Sequence, residues 1–297
     1  MVVKSMLKPS DLIKKLETDP GYAEKLLFPG RQLSDFDLKD LTIKVLPCGF
    51  PSLDKAMVFK QDRGELIVIG ARPSMGKSGL GFQIGTNIAK SGKVHIFSLE
   101  MDHESVAARQ MSAVMNRPLD WVQKGGADSP LGLTAKETLK GINCIIDDTS
   151  GLNVNQIIER VKVQNKKSRT SLVLIDYLQL IDMDGENRAL AVGKVSYALK
   201  ALAKELRIPV VALSQLNRQS EFREGGRPQL SDLKESGSIE QDADVVLLIH
   251  RLHTDREKAT IIIAKNRNGP TCDIPMKFAP SQCRFLDLEL GGDNELE

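Results

Sequence analysis

Short runs of apolar residues recur along the chain from residue 64 onward, without the alternation of apolar and polar positions that marks a half-exposed strand. The runs read ELIVIGA, KVHIFSLE, SLVLID, PVVALSQ, DADVVLLIH and ATIIIAK. Such β-branched, nearly continuous apolar segments are typical of strands that are covered on both faces in a parallel sheet. The pattern therefore predicts strands of a parallel sheet at these runs.

Helical patterns separate several of the predicted strands. In the stretch KVSYALKALAKEL, apolar residues follow a 4-3-4 spacing, which makes one stripe along a helix. The stripe consists of Val195, Leu199, Leu202 and Leu206. The pattern stops at Ile208 and Pro209, where the next strand begins. Alternating strands and helices indicate βαβ units and an α/β fold.

The first 60 residues differ from the rest of the chain. SDLIKKLETDPGYAEKLL has a helical pattern, whereas the following FPGRQLSDFDLKDLTIKVLPCGFPSLD is interrupted by proline and glycine. This organisation predicts a short helical arm or linker ahead of the α/β region.

Composition excludes several classes of protein. The 297 residues are 41% hydrophobic and 27% charged, which is ordinary for a folded globular protein, and the net charge of +2 indicates no global attraction to a polyanion. Four cysteines stand far apart without a C-x-x-C pair, which argues against a disulfide scaffold or a zinc site. The chain lacks an apolar run of about 20 residues and an apolar core near its start. We expect a cytoplasmic, reducing environment.

The segment GARPSMGKSG, residues 70–79, lies between a predicted strand and a helical pattern. This is the sequence and context of a phosphate-binding loop, with alanine in place of the usual first glycine. Glycines let backbone N–H groups turn toward phosphates, Lys77 reaches the β and γ oxygens, and Ser78 can ligate Mg²⁺. The alternative, a glycine-rich turn with a solvated lysine, is disfavoured by the flanking elements. The predicted nucleotide-binding residues are Ala71, Arg72, Pro73, Ser74, Met75, Gly76, Lys77 and Ser78.

Polar residues directly follow three of the predicted strands. Glu100 comes after VHIFSL, Asp176 after LVLI and Gln215 after VVALS. Because parallel strands end at one edge of the sheet, these side chains are expected to gather there. Asp176 suits a water-mediated hold on Mg²⁺, Glu100 can deprotonate an attacking water, and Gln215 can sense the γ-phosphate. Each residue could instead be a strand-end cap, but together they indicate a nucleoside triphosphatase.

A pair of cations lies near the C-terminal end, in TIIIAKNRNGPTCDIPMKF. Asn268 and Gly269 predict a hairpin turn, and Lys265 and Arg267, two positions apart, point to one side. The pair is either a charged edge that prevents aggregation or a projecting prong with an arginine finger for a neighbouring subunit's γ-phosphate.

The polar segment NRQSEFREGGRPQLSDLKESG carries several cations among glycines. These are Arg218, Arg223, Arg227 and Lys234. Four acidic residues nearly cancel their charge, so composition alone favours a solvated loop over a nucleic-acid site.

These blocks, taken in order from about Leu46 to Leu290, resemble the motor domain of the DnaB-type replicative DNA helicases, which are ring-forming ATPases with a RecA-like core. ARPSMGKS is similar to the family's phosphate-binding loop, FSLEM to the strand with its catalytic glutamate, IDYLQLI to its magnesium-aspartate strand, and LSQLNR to its glutamine sensor. KNRNGPT is similar to the prong that acts on a neighbouring copy. The roles implied are catalysis for Lys77, Glu100, Gln215, Lys265 and Arg267, and metal binding for Ser78 and Asp176.

The block SDLKESGSIEQDAD resembles the family's DNA-facing loop. The resemblance assigns DNA binding to Lys234, where relatives often carry arginine, and to Glu235 and Gly237. It thereby reverses the preference for a solvated loop.

The resemblance implies a RecA-like P-loop NTPase core with a mostly parallel central sheet flanked by helices, a C-terminal β-hairpin, and a short N-terminal helical arm. The domains expected are an arm over 1–45 and a motor over 46–297. The implied activity is ATP-driven 5′ to 3′ translocation on single-stranded DNA and duplex unwinding, with ATP and Mg²⁺. The implied partners are single-stranded or forked DNA, further copies in a hexameric ring, and a helicase loader or primase.

Roughly 45 residues precede the resemblance, fewer than a minimal domain of roughly 50 needs, so we expect the family's N-terminal primase-binding domain to be lacking. This motivates the expectation of a bacterial, phage or plasmid replication context.

Two other functions compete with the helicase. One is a RecA-like remodelling or recombination ATPase, in which the DNA-facing block would be unexpected. The other is a non-catalytic, nucleotide-gated binding module, against which the intact Lys77, Glu100 and Arg267 argue.

Overall fold

A sheet of nine strands organises the part of the chain that the computed structural model describes. The described residues are 42–182, 188–217, 223–233, 237–252 and 255–288. From Ile43 onward the chain forms one unit by its internal contacts. The predicted arm over 1–45 lies outside the described residues except for 42–45, so it stays a prediction, as does the boundary before residue 46.

The strands are three to nine residues long. Their bounds are β1 Lys44–Leu46, β2 Phe59–Gln61, β3 Leu66–Ala71, β4 Lys93–Ser98, β5 Cys144–Asp147, β6 Thr170–Asp176, β7 Val210–Gln215, β8 Val245–His250, β9 Lys258–Asn266, β10 Asp273–Ala279 and β11 Arg284–Asp287.

The helices fall mainly between the parallel strands. Their bounds are α1 Pro51–Ala56, α2 Lys77–Ile88, α3 His103–Met115, α4 Leu119–Gln123, α5 Pro130–Lys140, α6 Val154–Lys167, α7 Arg188–Leu206 and α8 Gly237–Asp242. Single 3₁₀ turns cover Gly126–Asp128, Leu178–Leu180, Glu224–Gly226, Leu230–Asp232 and Pro280–Gln282.

The sheet has the strand order β11-β10-β9-β8-β3-β7-β6-β4-β5. The run from β8 to β5 is parallel, with β3 between β7 and β8. The strands β9, β10 and β11 continue the sheet as antiparallel neighbours. The predicted α/β architecture and the C-terminal hairpin are therefore confirmed.

The prediction of a parallel strand at ATIIIAK is wrong in its direction. This run is β9, and it pairs antiparallel with β8. Only the segment 251–257 connects the two strands, and a parallel pair needs a crossover connection of about a dozen residues or more. The run lacks polar alternation because both faces of β9 are covered. The parallel strands are covered in the same way, so their sequences look alike.

Helices cover both faces of the sheet. On one face, α2 packs Leu80, Phe82 and Ile84 against the strands, together with Phe278 and Phe285 from the C-terminal hairpin. The other face is covered by α6, α7 and α8. The predicted apolar stripe packs there, with Val195, Leu199 and Leu202 buried and Leu206 partly buried. The helix itself begins at Arg188, before the first residue of the predicted stretch.

Among the helices of the described ranges, none combines the length and the apolar character that crossing a membrane requires.

Candidate nucleotide site at the carboxyl edge of the sheet

The predicted phosphate-binding loop connects the central strand β3 to helix α2. The loop leaves the sheet after Ala71, and Lys77 is the first residue of α2. Two backbone positions have positive φ: Ser74, with φ 63°, and Gly76, with φ 97°. The turn aims the start of a twelve-residue helix at the space above the sheet, where its unpaired N–H groups favour an anion.

Gly76 is tightly enclosed by the C-terminal hairpin. A Cβ atom built on it would lie 2.8 Å from Cε2 of Phe278 and 2.9 Å from Cε2 of Phe285. The position therefore excludes a side chain for two reasons, its left-handed backbone and the two rings beneath it.

We expect Gly76→Ala to weaken nucleotide binding and to lower the free energy of unfolding by about 2–4 kcal/mol, as the sum of backbone strain and overpacking. Gly125→Ala is the matched control, because Gly125 has φ 104° but open space around it, so this variant reports backbone strain alone. Urea denaturation and binding of a fluorescent ATP analogue measure both effects. Equal losses in the two variants would contradict the role of the rings.

Lys77 lies over Asp176 at the bottom of the site. Its Nζ is 3.4 Å from Oδ1 of Asp176 and 3.6 Å from the centre of the Tyr177 ring. Burial lowers the pKa of Lys77, and the carboxylates of Asp176 and Glu100 partly offset this effect. The ammonium group is thus held by carboxylates and an aromatic face at the start of α2.

Asp176 ends β6 and is fully buried, yet neither of its carboxylate oxygens accepts a hydrogen bond. A buried carboxylate is costly unless it is paired or binds a cation; Lys77 is its ion-pair partner at 3.4 Å, and its oxygens remain open to a bound cation. Together with the hydroxyl of Ser78 on the cavity wall, it supplies the oxygen ligands that Mg²⁺ prefers. The residues present therefore fit a magnesium ion.

Glu100 and Gln215 lie at the same edge of the sheet. Leu99 donates its N–H to the carbonyl of Asp176 at 2.8 Å, which fixes the backbone before Glu100 beside the end of β6. Gln215 ends β7 opposite Ala71 of β3. Gln179 holds it there, since Oε1 of Gln179 accepts the Gln215 N–H at 3.3 Å. The predicted gathering of strand-end polar residues is confirmed in this geometry.

These residues surround a cavity of about 710 Å³, large enough for a nucleotide. All the predicted nucleotide-binding residues line it, as do Glu100 and Gln215, whereas Asp176 lies buried beneath. The cationic residues on its wall are Arg72, Lys77, Arg109, Arg251 and Arg256. With Glu100 as a carboxylate on the wall, the arrangement can bind a polyphosphate and accept a proton from water next to it.

Arg251 is a site residue that the sequence pattern did not identify. It follows β8, stacks over the ring of Phe278 at 3.9 Å and donates from Nη1 to the carbonyl of Ser74 at 3.2 Å. It thereby ties the phosphate-binding loop to the connection between β8 and β9. Its position directly after the buried strand β8 is a signal from which the sequence could have identified it.

Comparison with known proteins decides the family. The model of the DnaB-like helicase C-terminal domain matches residues 45–287. The chain belongs to the DnaB-like helicase family. The match begins in β1 and ends with the last residue of β11, so it includes every element of the site.

Relatives of known function are replicative helicases. The replicative DNA helicase DnaB of Geobacillus stearothermophilus is 38% identical over 84% of this chain, and the replicative DNA helicase DnaC of Bacillus subtilis is 40% identical over 82% of it. The chain covers 58% and 57% of the lengths of these two relatives. A solved DnaB-like replicative helicase, described with its interactions with primase, is 28% identical with a TM-score of 0.78, covering 94% of this chain and 74% of its own.

The predicted prong of this DnaB-like chain lies at the other edge of the sheet. Arg267 donates its backbone N–H to Asp244 at 2.9 Å, and Asp244 donates to Leu66 at the start of β3. The phosphate-binding loop begins at the opposite end of β3, about 17 Å away at about 3.3 Å per residue. Within one chain, Arg267 is thus remote from the nucleotide cavity.

The prong cations do not project freely, which corrects the prediction. Nζ of Lys265 donates to the carbonyl of Glu240, and Nη2 of Arg267 donates to that of Gln241 at 2.6 Å. Arg267 also lies 3.5 Å from the carboxylate of Asp244. Burial, followed by the neighbouring Arg267, lowers the pKa of Lys265. Both side chains do point to one side, as predicted, because carbonyls near the end of α8 attract cations.

The predicted hairpin turn is also longer than Asn268 and Gly269 suggest. The strands β9 and β10 are joined by residues 267–272. Neither Asn268 nor Gly269 has a positive φ, so the tight two-residue turn is absent. The side chain of Asn266 instead accepts the N–H of Asn268 at 3.2 Å and donates to Pro270.

The predicted DNA-facing residues Lys234 and Glu235 lie outside the described residues, and Gly237 begins α8. Of the other cations in this segment, Arg218 is also outside. Arg223 forms a two-armed pair with the buried Asp232, and Arg227 forms one with Asp273. These two arginines bind carboxylates of their own chain, a structural role that composition did not indicate.

Proposed function

We propose that the chain is the ATP-driven motor of a replicative helicase, which hydrolyses ATP at the cavity around residues 71–78, moves 5′ to 3′ along single-stranded DNA and separates duplex DNA. The observation that carries the proposal is the convergence of the phosphate-binding loop with Glu100, Asp176 and Gln215 at one edge of the sheet. The family membership supports the same activity.

In the proposed mechanism, the loop and the start of α2 bind the phosphates through backbone N–H groups, and Lys77 neutralises charge on the β and γ oxygens. Glu100 orients a water molecule and takes its proton on the carboxylate as the water attacks the γ-phosphorus. Gln215, positioned by Gln179, donates its side-chain amide to a γ-phosphate oxygen. Its contact is lost once the phosphate has left.

Ser78 and Asp176 are the residues proposed to hold Mg²⁺, with Asp176 acting through water. The ion would supply Lewis-acid neutralisation of the phosphate oxygens. The buried Asp176 carboxylate, which pairs with Lys77 but accepts no hydrogen bond, supports this assignment.

We assign Lys265 and Arg267 to the triphosphate bound by a neighbouring copy. Arg267 is attached at the start of β3, and its own phosphate-binding loop begins at the other end of that strand, about 17 Å away. This placement of Arg267 supports action between copies rather than within one. A closed ring, with six copies as in the resemblance, gives every loop a partner prong. Lys234, Glu235 and Gly237 are proposed to bind DNA inside the ring, where recognition is independent of base sequence, with Lys234 contacting the phosphates. A helicase loader or a primase is a proposed further partner.

The test of this function is ATP turnover with and without single-stranded DNA, followed by strand displacement on a forked duplex. The proposal expects turnover that DNA stimulates, together with unwinding from the 5′ tail. Turnover indifferent to DNA would indicate a remodelling ATPase. Absence of turnover despite nucleotide binding would indicate a nucleotide-gated binding module.

Glu100→Gln removes the proton acceptor but keeps the size of the side chain. Glu100 is exposed, so the variant should fold normally. We expect ATP turnover to fall about 10²–10⁴-fold, the usual contribution of a general base, while the Kd for ATP stays within about twofold. Steady-state kinetics and equilibrium binding measure the two quantities. Glu104→Gln, at an exposed acid in the first turn of the next helix, is the control. Retained turnover in Glu100→Gln would remove Glu100 from this role.

A further inference from the structure

The two pieces of chain on either side of residues 234–236 are both bound to the hairpin that carries the prong. The preceding piece, residues 223–233, contacts β10 through Arg227 and Asp273. The following piece, α8, contacts β9 and the loop after it through Lys265 and Arg267. The preceding piece therefore holds strand β10 of the hairpin, and α8 holds strand β9.

The contact from the preceding piece has the geometry of a positioning device. Nη1 and Nη2 of Arg227 each donate to one carboxylate oxygen of Asp273 at 2.7 Å. This fork fixes the orientation of both planar groups as well as their distance. The pair also lowers the pKa of Asp273 and raises the pKa of Arg227, mainly through these hydrogen bonds.

The Arg227–Asp273 ion pair contributes little to the stability of the fold. The side chains of Arg227 and Asp273 are 50% and 45% exposed, and ion pairs so exposed contribute about 0–1 kcal/mol. The pair matters because it joins the segment 223–233 to the hairpin. Asp273 is the first residue of β10, directly after the prong loop.

Internal contacts and a contact with the residue after β7 hold the segment 223–233 in place up to its last residue. Asp232 is fully buried and binds Arg223 through both oxygens, and it accepts the N–H of Gln229 at 2.8 Å. Leu233 is buried and bridges to Leu216. These contacts hold residue 233 and Arg227 in one short segment, so a displacement of the chain at residue 233 would shift Arg227 and, through the ion pair, Asp273.

We infer that Arg227 and Asp273 are a positioning pair that transmits DNA binding to the Arg267 prong, so that DNA accelerates ATP hydrolysis on the neighbouring copy. The inference rests on the proposed function for its DNA and its neighbouring copy. The pair touches neither substrate. It acts by setting where the hairpin holds Arg267 relative to the segment that ends at residue 233.

Charge reversal tests the pair directly. Arg227→Asp and Asp273→Arg each replace attraction by repulsion at exposed positions, and the double variant restores an opposite-charge pair with reversed order. We expect each single variant to lower the DNA-stimulated kcat about tenfold, with the KM for ATP and the basal turnover changed less than about twofold. The double variant should recover most of the stimulation.

A matched control lies on the same hairpin. Lys277 of β10 pairs with Glu257 at 3.3 Å, with exposures of 53% and 63%, close to those of the first pair. Reversing this pair at either residue should leave stimulation by DNA at the wild-type level. Thermal unfolding of every variant checks that folding is intact.

The possible results distinguish failure of the positioning pair from failure of the proposed helicase function. Wild-type protein that DNA does not stimulate would overturn the proposed function and the inference with it. Stimulated wild-type protein with unaltered single variants would overturn the inference alone, and so would a double variant in which the two losses simply add. Loss in the single variants with recovery in the double variant supports it.

Discussion

Lys77→Ala is expected to reduce ATP turnover by about 10²–10³-fold or more, because it removes a preorganised cation from the developing phosphate charge. The same change leaves Asp176 without its ion-pair partner at a fully buried position. Uncompensated buried charges cost about 3–5 kcal/mol, so reduced stability is expected alongside the lost activity. Steady-state ATP hydrolysis and urea denaturation measure the two effects.

A second variant separates catalysis from folding. Lys77→Met combined with Asp176→Asn removes both charges and should recover most of the stability while remaining inactive. Lys90→Ala is the control, since the amine of Lys90 lies at the surface and binds only Asn87 among the described contacts. Wild-type turnover in the double variant would remove Lys77 and Asp176 from the site.

Arg267→Ala is expected to lower kcat by about 10³–10⁵-fold, the contribution of an arginine finger in phosphoryl transfer. The affinity for ATP should be unchanged, because the cavity of the same chain does not include Arg267. The side chain is 48% exposed, so stability should fall by less than about 1 kcal/mol. Turnover, equilibrium nucleotide binding and thermal unfolding give the three readouts.

Arg169→Ala is a matched control for the finger. Arg169 is 53% exposed and pairs with Asp62, so the variant loses a similar surface ion pair without a predicted role. Mixing Lys77→Ala with Arg267→Ala provides a stricter test, since some junctions then combine an intact loop with an intact prong. Turnover should reappear once exchange of subunits has been verified by mass; its absence after verified exchange would contradict the shared site.

The strands whose sequences are continuous and apolar were predictable because both of their faces are covered. The strand β10 was implied only as the second arm of the predicted hairpin, because its exposed and buried positions alternate around Pro275. The strand β5 was not predicted. It is a four-residue, half-buried strand at the edge of the sheet, with too little continuous apolar sequence to stand out from a loop.

In the candidate site, too, some residues could be predicted from the sequence and others could not. The loop and the residues that follow strands could be read from order alone, since parallel strands bring their carboxyl ends together. The partners of Arg223 and Arg227 could not. Asp273 lies 46 positions from Arg227, and the pairing depends on the path that residues 223–233 take over the sheet. Composition favoured a solvated loop in that segment, whereas the structure binds these two arginines to carboxylates of the same chain.

The direct test of the shared site is ATP turnover per chain measured across a dilution series, with the assembly mass determined at each concentration by light scattering. The account predicts that turnover per chain falls as the assembly dissociates, because a separated chain keeps its phosphate-binding loop and loses its neighbour's Arg267. A chain that is monomeric at every concentration and hydrolyses ATP at the full rate would contradict it.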